Sequence, residues 1–155
     1  MAFKFSERDL LTDGVIDLVV EKREPADPSK GYVPAYHYKV TVHGSAEKIG
    51  EIRLRVGNLP SLLTSGHIGY SIAADHRGHG YASRACLLVG TVALSHGLRR
   101  LTITCDPGNI PSRRTCERIG AVLQGIFDVP PDHPMYREGK RTVCRYEWFP
   151  RNGKE

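Results

Sequence analysis

The chain opens on a run of alternating positions. In GVIDLVVEK (14–22), Val15, Asp17 and Val19 alternate with Ile16, Leu18 and Val20 and β-branched residues dominate, which predicts a strand. EPADPSKGYVPA (24–35) carries three prolines and one glycine and predicts a loop. AYHYKVTVHG (35–44) sets Tyr36, Tyr38, Val40 and Val42 against polar partners, the period of a half-buried strand. After a turn at SAEK, IGEIRLRVG (49–57) puts Ile52, Leu54 and Val56 on one face and Glu51, Arg53 and Arg55 on the other. These two strands form an expected antiparallel hairpin, and GHIGYSIA (66–73) predicts a further strand.

From Gly80 to His96 the period changes: Ala82, Ala85, Cys86, Val89, Val92 and Ala93 recur at spacings of three and four, an amphipathic helix. Gly97 stands where a left-handed C-terminal cap is wanted. LTITC (101–105), short, apolar and β-branched, predicts a central buried strand. A second helix follows from about Pro111 to Ile119, with proline in its first turn and Gly120 past its end. AVLQGIF and TVCRYEWF predict closing strands, and Asp128–Gly139 between them, with three prolines, predicts an irregular loop. The order of strands, helix, strand, helix, strands predicts an α/β (α+β) fold: one domain over 1–155, with a mixed, mostly antiparallel twisted sheet and flanking helices.

Composition narrows the function classes. No run of eighteen apolar residues is present, so no membrane helix is expected, and MAFKFSERDLL lacks the apolar core of a secretory signal. The expected location is the cytoplasm. Cys86, Cys105, Cys116 and Cys144 are scattered without metal-ligand spacing, so neither a metal site nor a disulfide framework is expected. The formal net charge is +5, but the basic residues are dispersed as pairs and no basic tail exists. A polyanionic small molecule accounts for that pattern at least as well as a nucleic acid.

The candidate chemistry lies in Arg77-Gly78-His79-Gly80-Tyr81-Ala82-Ser83, between a strand and a helix. Glycines let backbone approach a ligand, unpaired N–H groups at a helix start attract anions, and Arg77 offers a planar charged donor. This predicts a phosphate-containing ligand. Neither G-x-x-x-x-G-K-[ST] nor G-x-G-x-x-G is present, since Ser83 stands where the third glycine belongs.

Together with the later Asn109-x-x-Ser112 and Glu117-Arg118-x-Gly120, the segment Gly69–Ala82 resembles the GNAT N-acetyltransferase superfamily. Arg77, Gly80 and Ala82 match the defined positions of its pyrophosphate motif, [QR]-x-x-G-x-[GA], and the resemblance covers roughly Ile49 to Phe127. It implies acetyl-CoA (coenzyme A) as co-substrate and a sheet splayed at its centre, with the strand Gly69–Ala73 parting from LTITC to admit the pantetheine arm. It further implies that Ile72 and Ala73 hold the arm through backbone groups. The amides from Gly78 to Ser83 (Gly78, His79, Gly80, Tyr81, Ala82, Ser83) would grip the pyrophosphate, with Asn109 and Ser112 beside the arm. Many relatives carry a tyrosine seven positions after the asparagine to protonate the leaving thiolate; here that position is Cys116, with Tyr146 as a substitute. The base candidates are His67, which titrates near neutral pH, and Glu51, on the polar face of the preceding strand.

The expected function is acetyl transfer to a primary amine of a small molecule or protein in a ternary complex. The alternative is a non-catalytic acyl-CoA-binding sensor. Nucleic-acid and membrane partners are not expected, and edge-strand pairing makes a homodimer a candidate assembly.

Overall fold

A computed structural model describes residues 3–152. Its first five strands are β1 (Leu10–Thr12), β2 (Ile16–Glu24), β3 (Ala35–Val42), β4 (Gly50–Arg55) and β5 (Ile68–Ile72), hydrogen-bonded antiparallel in that order. A single helical turn, α1 (Leu62–Ser65), precedes β5. The helix α2 (Tyr81–Ser95) then crosses to β6 (Leu101–Cys105), followed by α3 (Ile110–Arg118), β7 (Val122–Asp128), the turn α4 (Pro134–Arg137) and β8 (Thr142–Trp148). The last three strands form a second sheet in the order β6-β8-β7.

The alternation seen along the chain sets the layers. Ile16, Leu18, Tyr36, Tyr38, Val40, Ile52 and Leu54 are fully or almost fully buried and pack with Ala85, Cys86 and Val89 of α2. The odd-numbered positions of β3 and β4, including His37, Glu51, Arg53 and Arg55, therefore form the sheet's other face. Tyr36, Tyr38 and Trp148 lie in the core, while Tyr32 and Phe149 are exposed. β7 is an edge strand that exposes Val122, Leu123 and Ile126.

Helix ends follow their local chemistry. His96 closes α2, and Gly97, at φ 80°, completes a left-handed cap in which its N–H donates to Leu94 O and the Leu98 N–H to Ala93 O. Asn109 caps α3 by accepting from the Ser112 N–H at 3.2 Å. The structure differs from the sequence pattern at short elements. β1 is three residues long, and α1 and α4 four each, too short to show a period. The stretch between β2 and β3 closes on an Asp27–Tyr32 bridge around a 3₁₀ turn at Pro28–Lys30.

β5 and β6 are neighbours without a ladder. They meet at one end, where the His67 N–H donates to Thr102 O at 2.7 Å, and diverge beyond it into a V. The splay expected at the sheet centre is this divergence.

Candidate active site

At the open end of the V the chain leaves β5 through a 3₁₀ turn (Ala74–His76) and enters α2 through Arg77–Gly80. Gly80 is the N-cap of α2 at φ 74°, and Gly78 lies at φ 87°. Both are left-handed, a region that costs an L side chain about 1–2 kcal/mol. A glycine cap has no side chain to offer, so the amides of Tyr81, Ala82 and Ser83 have no protein acceptor among the described residues. α2 carries no acidic residue in its first turn, and the positive end of its dipole faces the loop uncompensated. The Ser83 hydroxyl is buried and has no hydrogen-bond partner among the described residues. Unsatisfied donors are rare in folded proteins and mark a place prepared for an outside group.

Two arginines flank this loop. Arg77 is anchored, its Nε–H donating to Ile72 O at 2.8 Å, which ties the loop to β5. Arg118, on α3, was not singled out by the sequence pattern as a ligand contact. Its Nη1 lies 3.5 Å from the place a Cβ on Gly80 would take, so α3 brings a second guanidinium to the loop. His79 stacks on Tyr81 with ring centroids 5.3 Å apart.

The walls of the V assign the remaining candidates. Along β5, the Arg55 N–H donates to His67 O at 2.7 Å and the Ala73 N–H to Ile49 O at 2.8 Å. Gly69 and Ser71 therefore turn their backbone groups, and Ala73 its N–H, to β4, while Ile68, Tyr70 and Ile72 turn theirs to the V. The Ala73 N–H is bonded to β4 and does not face the V. Ile72 does face the V, with its carbonyl held by Arg77.

His67 lies at the other end of the V. The ring is buried at the closed end of the V, where Nδ1 accepts from the Thr102 N–H at 2.9 Å and Nε2 donates to Gly57 O at 2.8 Å. Burial holds its pKa below the ordinary histidine value. Both nitrogens are engaged with backbone, and none is left to take a proton from an amine. Cys116 is fully buried, and burial pushes its thiol up to about 12, with the nearby Cys105 adding to the shift. That is a poor acid for a leaving thiolate, whose own pKa is about 8.5. Tyr146 is buried in the core, its hydroxyl accepting from Arg113 Nε at 3.1 Å. Glu51 stands on the sheet's outer face beside Ser71, exposed, with Lys48 Nζ at 3.4 Å.

A residue absent from the sequence candidates fills the V instead. The Tyr70 hydroxyl lies 2.8 Å from Ser112 Oγ and donates to Ser112 O at 3.3 Å, spanning from β5 to the first turn of α3. Burial raises its pKa, so the phenol keeps its proton. Cys116 follows Ser112 by one helical turn on α3, so Tyr70 reaches from the opposite wall toward the region of the missing α3 tyrosine. Alternation along β5 was a usable signal, since Tyr70 shares a face with Ile68 and Ile72.

The family model described as an acetyltransferase (GNAT) domain matches residues 15–122, well over half of the chain. The chain belongs to the GNAT acetyltransferase family. Within it, the uncharacterized N-acetyltransferase YnaD of Bacillus subtilis is 30% identical over 84 residues, 52% of this chain and 49% of that protein. The match thus spans about half the length of that curated relative. Among solved structures, a probable GNAT-family acetyltransferase from Chromobacterium violaceum superposes with a TM-score of 0.67 at 13% identity, covering 96% of this chain and 90% of that one. The microcin C7 self-immunity acetyltransferase MccE, solved in complex with acetyl-CoA and AMP, aligns at a TM-score of 0.57 and 18% identity, covering 74% and 61%. At these identities the structural likenesses speak for the fold: a GNAT fold with the sheet opened between β5 and β6.

Proposed function

We propose that this chain is an acetyl-CoA-dependent N-acetyltransferase that moves an acetyl group directly to a primary amine. The observation that carries the reading is the donor set at the start of α2: three unpartnered amides, the unpartnered Ser83 hydroxyl, and Arg77 and Arg118 beside them. That set fits a pyrophosphate, as helix-start amides and guanidinium forks suit phosphate oxygens. The V-facing backbone of Tyr70 and the Ile72 N–H fit an amide-bearing arm, because β5 groups released by the splay need partners. MccE, with which this fold aligns, was solved with acetyl-CoA bound. When bound, acetyl-CoA supplies an activated thioester.

The chain's residues then divide the remaining work. The loop and V hold and orient, which by itself removes much of the barrier to a two-substrate reaction. Glu51, exposed on the face next to β5, takes the proton of the incoming ammonium. Tyr70 holds a proton at its phenol oxygen inside the V, where Ser112 fixes its direction. It is the group placed to neutralise an anionic sulfur there. His67 is structural in this assignment, and Cys116 packs.

Calorimetric titration is expected to show acetyl-CoA binding in the micromolar range, and a screen of amines monitored by thiol release is expected to show turnover. Binding without turnover on any amine would favour a sensor; no binding by the folded protein would remove both readings.

The proton donor is tested separately. Tyr70→Phe is expected to lower kcat by about 10²-fold with the acetyl-CoA Kd unchanged, the usual scale of a lost general acid. Cys116→Ala should leave kcat near that of the parent. Tyr70→Phe turning over at the parent rate would rule out the tyrosine.

A further inference from the structure

The outer face of the five-stranded sheet, away from α2, carries a trough lined by Glu21, His37, Glu51, Arg53, Gly69 and Ser71. Its charges are paired with one exception. Lys48 bonds Glu21 at 3.0 Å and Glu51 at 3.4 Å. His37 bonds Glu24 at 3.0 Å, and Lys22 lies 3.7 Å from the same carboxylate. Arg55, two residues along the strand, donates to the carbonyls of Gly66 and Ser65. Arg53 has no carboxylate within 4.0 Å among the described residues, and its Nε is buried without a hydrogen-bond partner.

An arginine Nε–H withdrawn from water and left unbonded is destabilising, the more so because the group is charged. Guanidinium donors form a planar fork that matches carboxylate and phosphate oxygens. The backbone keeps this fork clear. His37, Arg53 and Gly69 are cross-strand neighbours in one row, and a Cβ on Gly69 would sit 3.4 Å from Arg53 Nη2. The missing side chain at Gly69 thus opens the space over β5 into which the guanidinium reaches. Gly69 adjoins Tyr70, one residue rise away, about 3.3 Å. The trough therefore borders β5, the strand whose Tyr70 backbone faces the V.

We propose that the trough is the acceptor subsite and that Arg53 selects amines carrying a carboxylate or phosphate a few bonds from the nitrogen, such as an amino acid or an aminoalkyl phosphate. This rests on the acetyl-transfer reading above. The atoms balance as in any amide formation from a thioester: the N–C bond forms, the C–S bond breaks, and the amine proton leaves through Glu51. Arg53 binds the spectator anion and takes no part in the bond changes.

Four probes separate the sources of charge: glycine against glycinamide, and O-phosphoethanolamine against ethanolamine. The first readout is the Arg53 Nε–H resonance of ¹⁵N-labelled protein, assigned by its loss in Arg53→Gln, during titration with each amine. The second is steady-state acetylation of the same four. The resonance is expected to move with the anionic member of at least one pair and to stay still with its neutral partner. The anionic member should also be preferred at least tenfold in kcat/KM. Arg53→Gln should abolish that preference through KM while retaining kcat, and Gly69→Val should do the same by filling the space. Arg53→Lys should recover part of it.

A resonance that none of the four amines moves would overturn the proposal. So would equal use of charged and neutral partners, or an Arg53→Gln variant that lowers kcat for both alike. Movement of the resonance without turnover supports the anion subsite and counts against acetyl transfer, so the two claims fail separately.

Discussion

Gly80→Glu is expected to abolish acetyl-CoA binding, raising Kd more than a hundredfold, with the fold retained. The N-cap of α2 sits at φ 74°, so any L side chain there adds left-handed strain of about 1–2 kcal/mol. Part of that cost is offset. A carboxylate at a helix N-terminus gains about 0.3–1 kcal/mol from the dipole, and the Arg118 guanidinium lies 3.5 Å from the new Cβ. The folded state therefore survives, while the site acquires a fixed anion among the amides and arginines meant for phosphate. A hundredfold loss is about 2.7 kcal/mol, modest for replacing attraction by like-charge repulsion in a confined site. Arg77→Ala should cost less, about tenfold, because the loop amides remain and half of Arg77's role is its bond to Ile72 O. Calorimetry with circular dichroism on both variants checks this. Parent-like affinity in folded Gly80→Glu would locate the cofactor elsewhere.

The second large effect concerns the closed end of the V. His67→Leu leaves the Thr102 N–H and Gly57 O without the ring that joins them. At about 1–3 kcal/mol for each of the two buried groups, the loss is roughly 2–6 kcal/mol. For a chain of this size that corresponds to a fall in Tm of about 4–24 °C. The pH dependence has a defined sign. Accepting from one N–H and donating to one carbonyl requires the neutral ring; protonating Nδ1 would face two donors at each other. The folded pKa is accordingly lowered, so the unfolded chain binds the proton first. His67's stability contribution is complete above the unfolded value of about 6.5 and declines as pH falls below it. His96, also lowered by burial, acts in the same direction. Asp13, Asp17 and Glu24, whose values are lowered, weaken the fold only below about pH 4–4.5, so pH 5–7 isolates the histidines. Urea midpoints should drop between pH 7 and 5 in the parent and drop less in His67→Leu. An unchanged Tm in His67→Leu would remove the structural role.

Both effects start from residues visible in the sequence, but only one role was legible there. The phosphate loop depends on neighbours along the chain: two glycines, an arginine and a helix start within seven residues. Backbone dihedrals, helix dipoles and capping act over one turn, so local order was enough to show them. The same holds for the strands with their alternating faces, the long helix with its glycine stop, and the Asn109 cap.

His67 looked like a base because histidine titrates near neutrality. What decides its role is Thr102, 35 residues away, and Gly57, ten residues back across β4. Cys116 occupied the right place in the motif, yet its burial comes from α3 packing on the rest of the core. Alternation put Tyr70 on the face of Ile68 and Ile72, but its partner Ser112, like Arg118, came into reach only once α3 was laid against β5 and the loop, and Arg53 stood out only once Gly69 was placed beside it.

From sequence alone came the elements, the family resemblance and the glycine-rich loop proposed to bind an anion. Tertiary structure decided which candidates face the V, which are engaged with backbone, and which donor stands unpaired. The physical reason is range: periodicity and dihedral preference are written in adjacent residues. Burial, hydrogen-bond partners and the proton affinity they set depend on strand register and on where two sheets part.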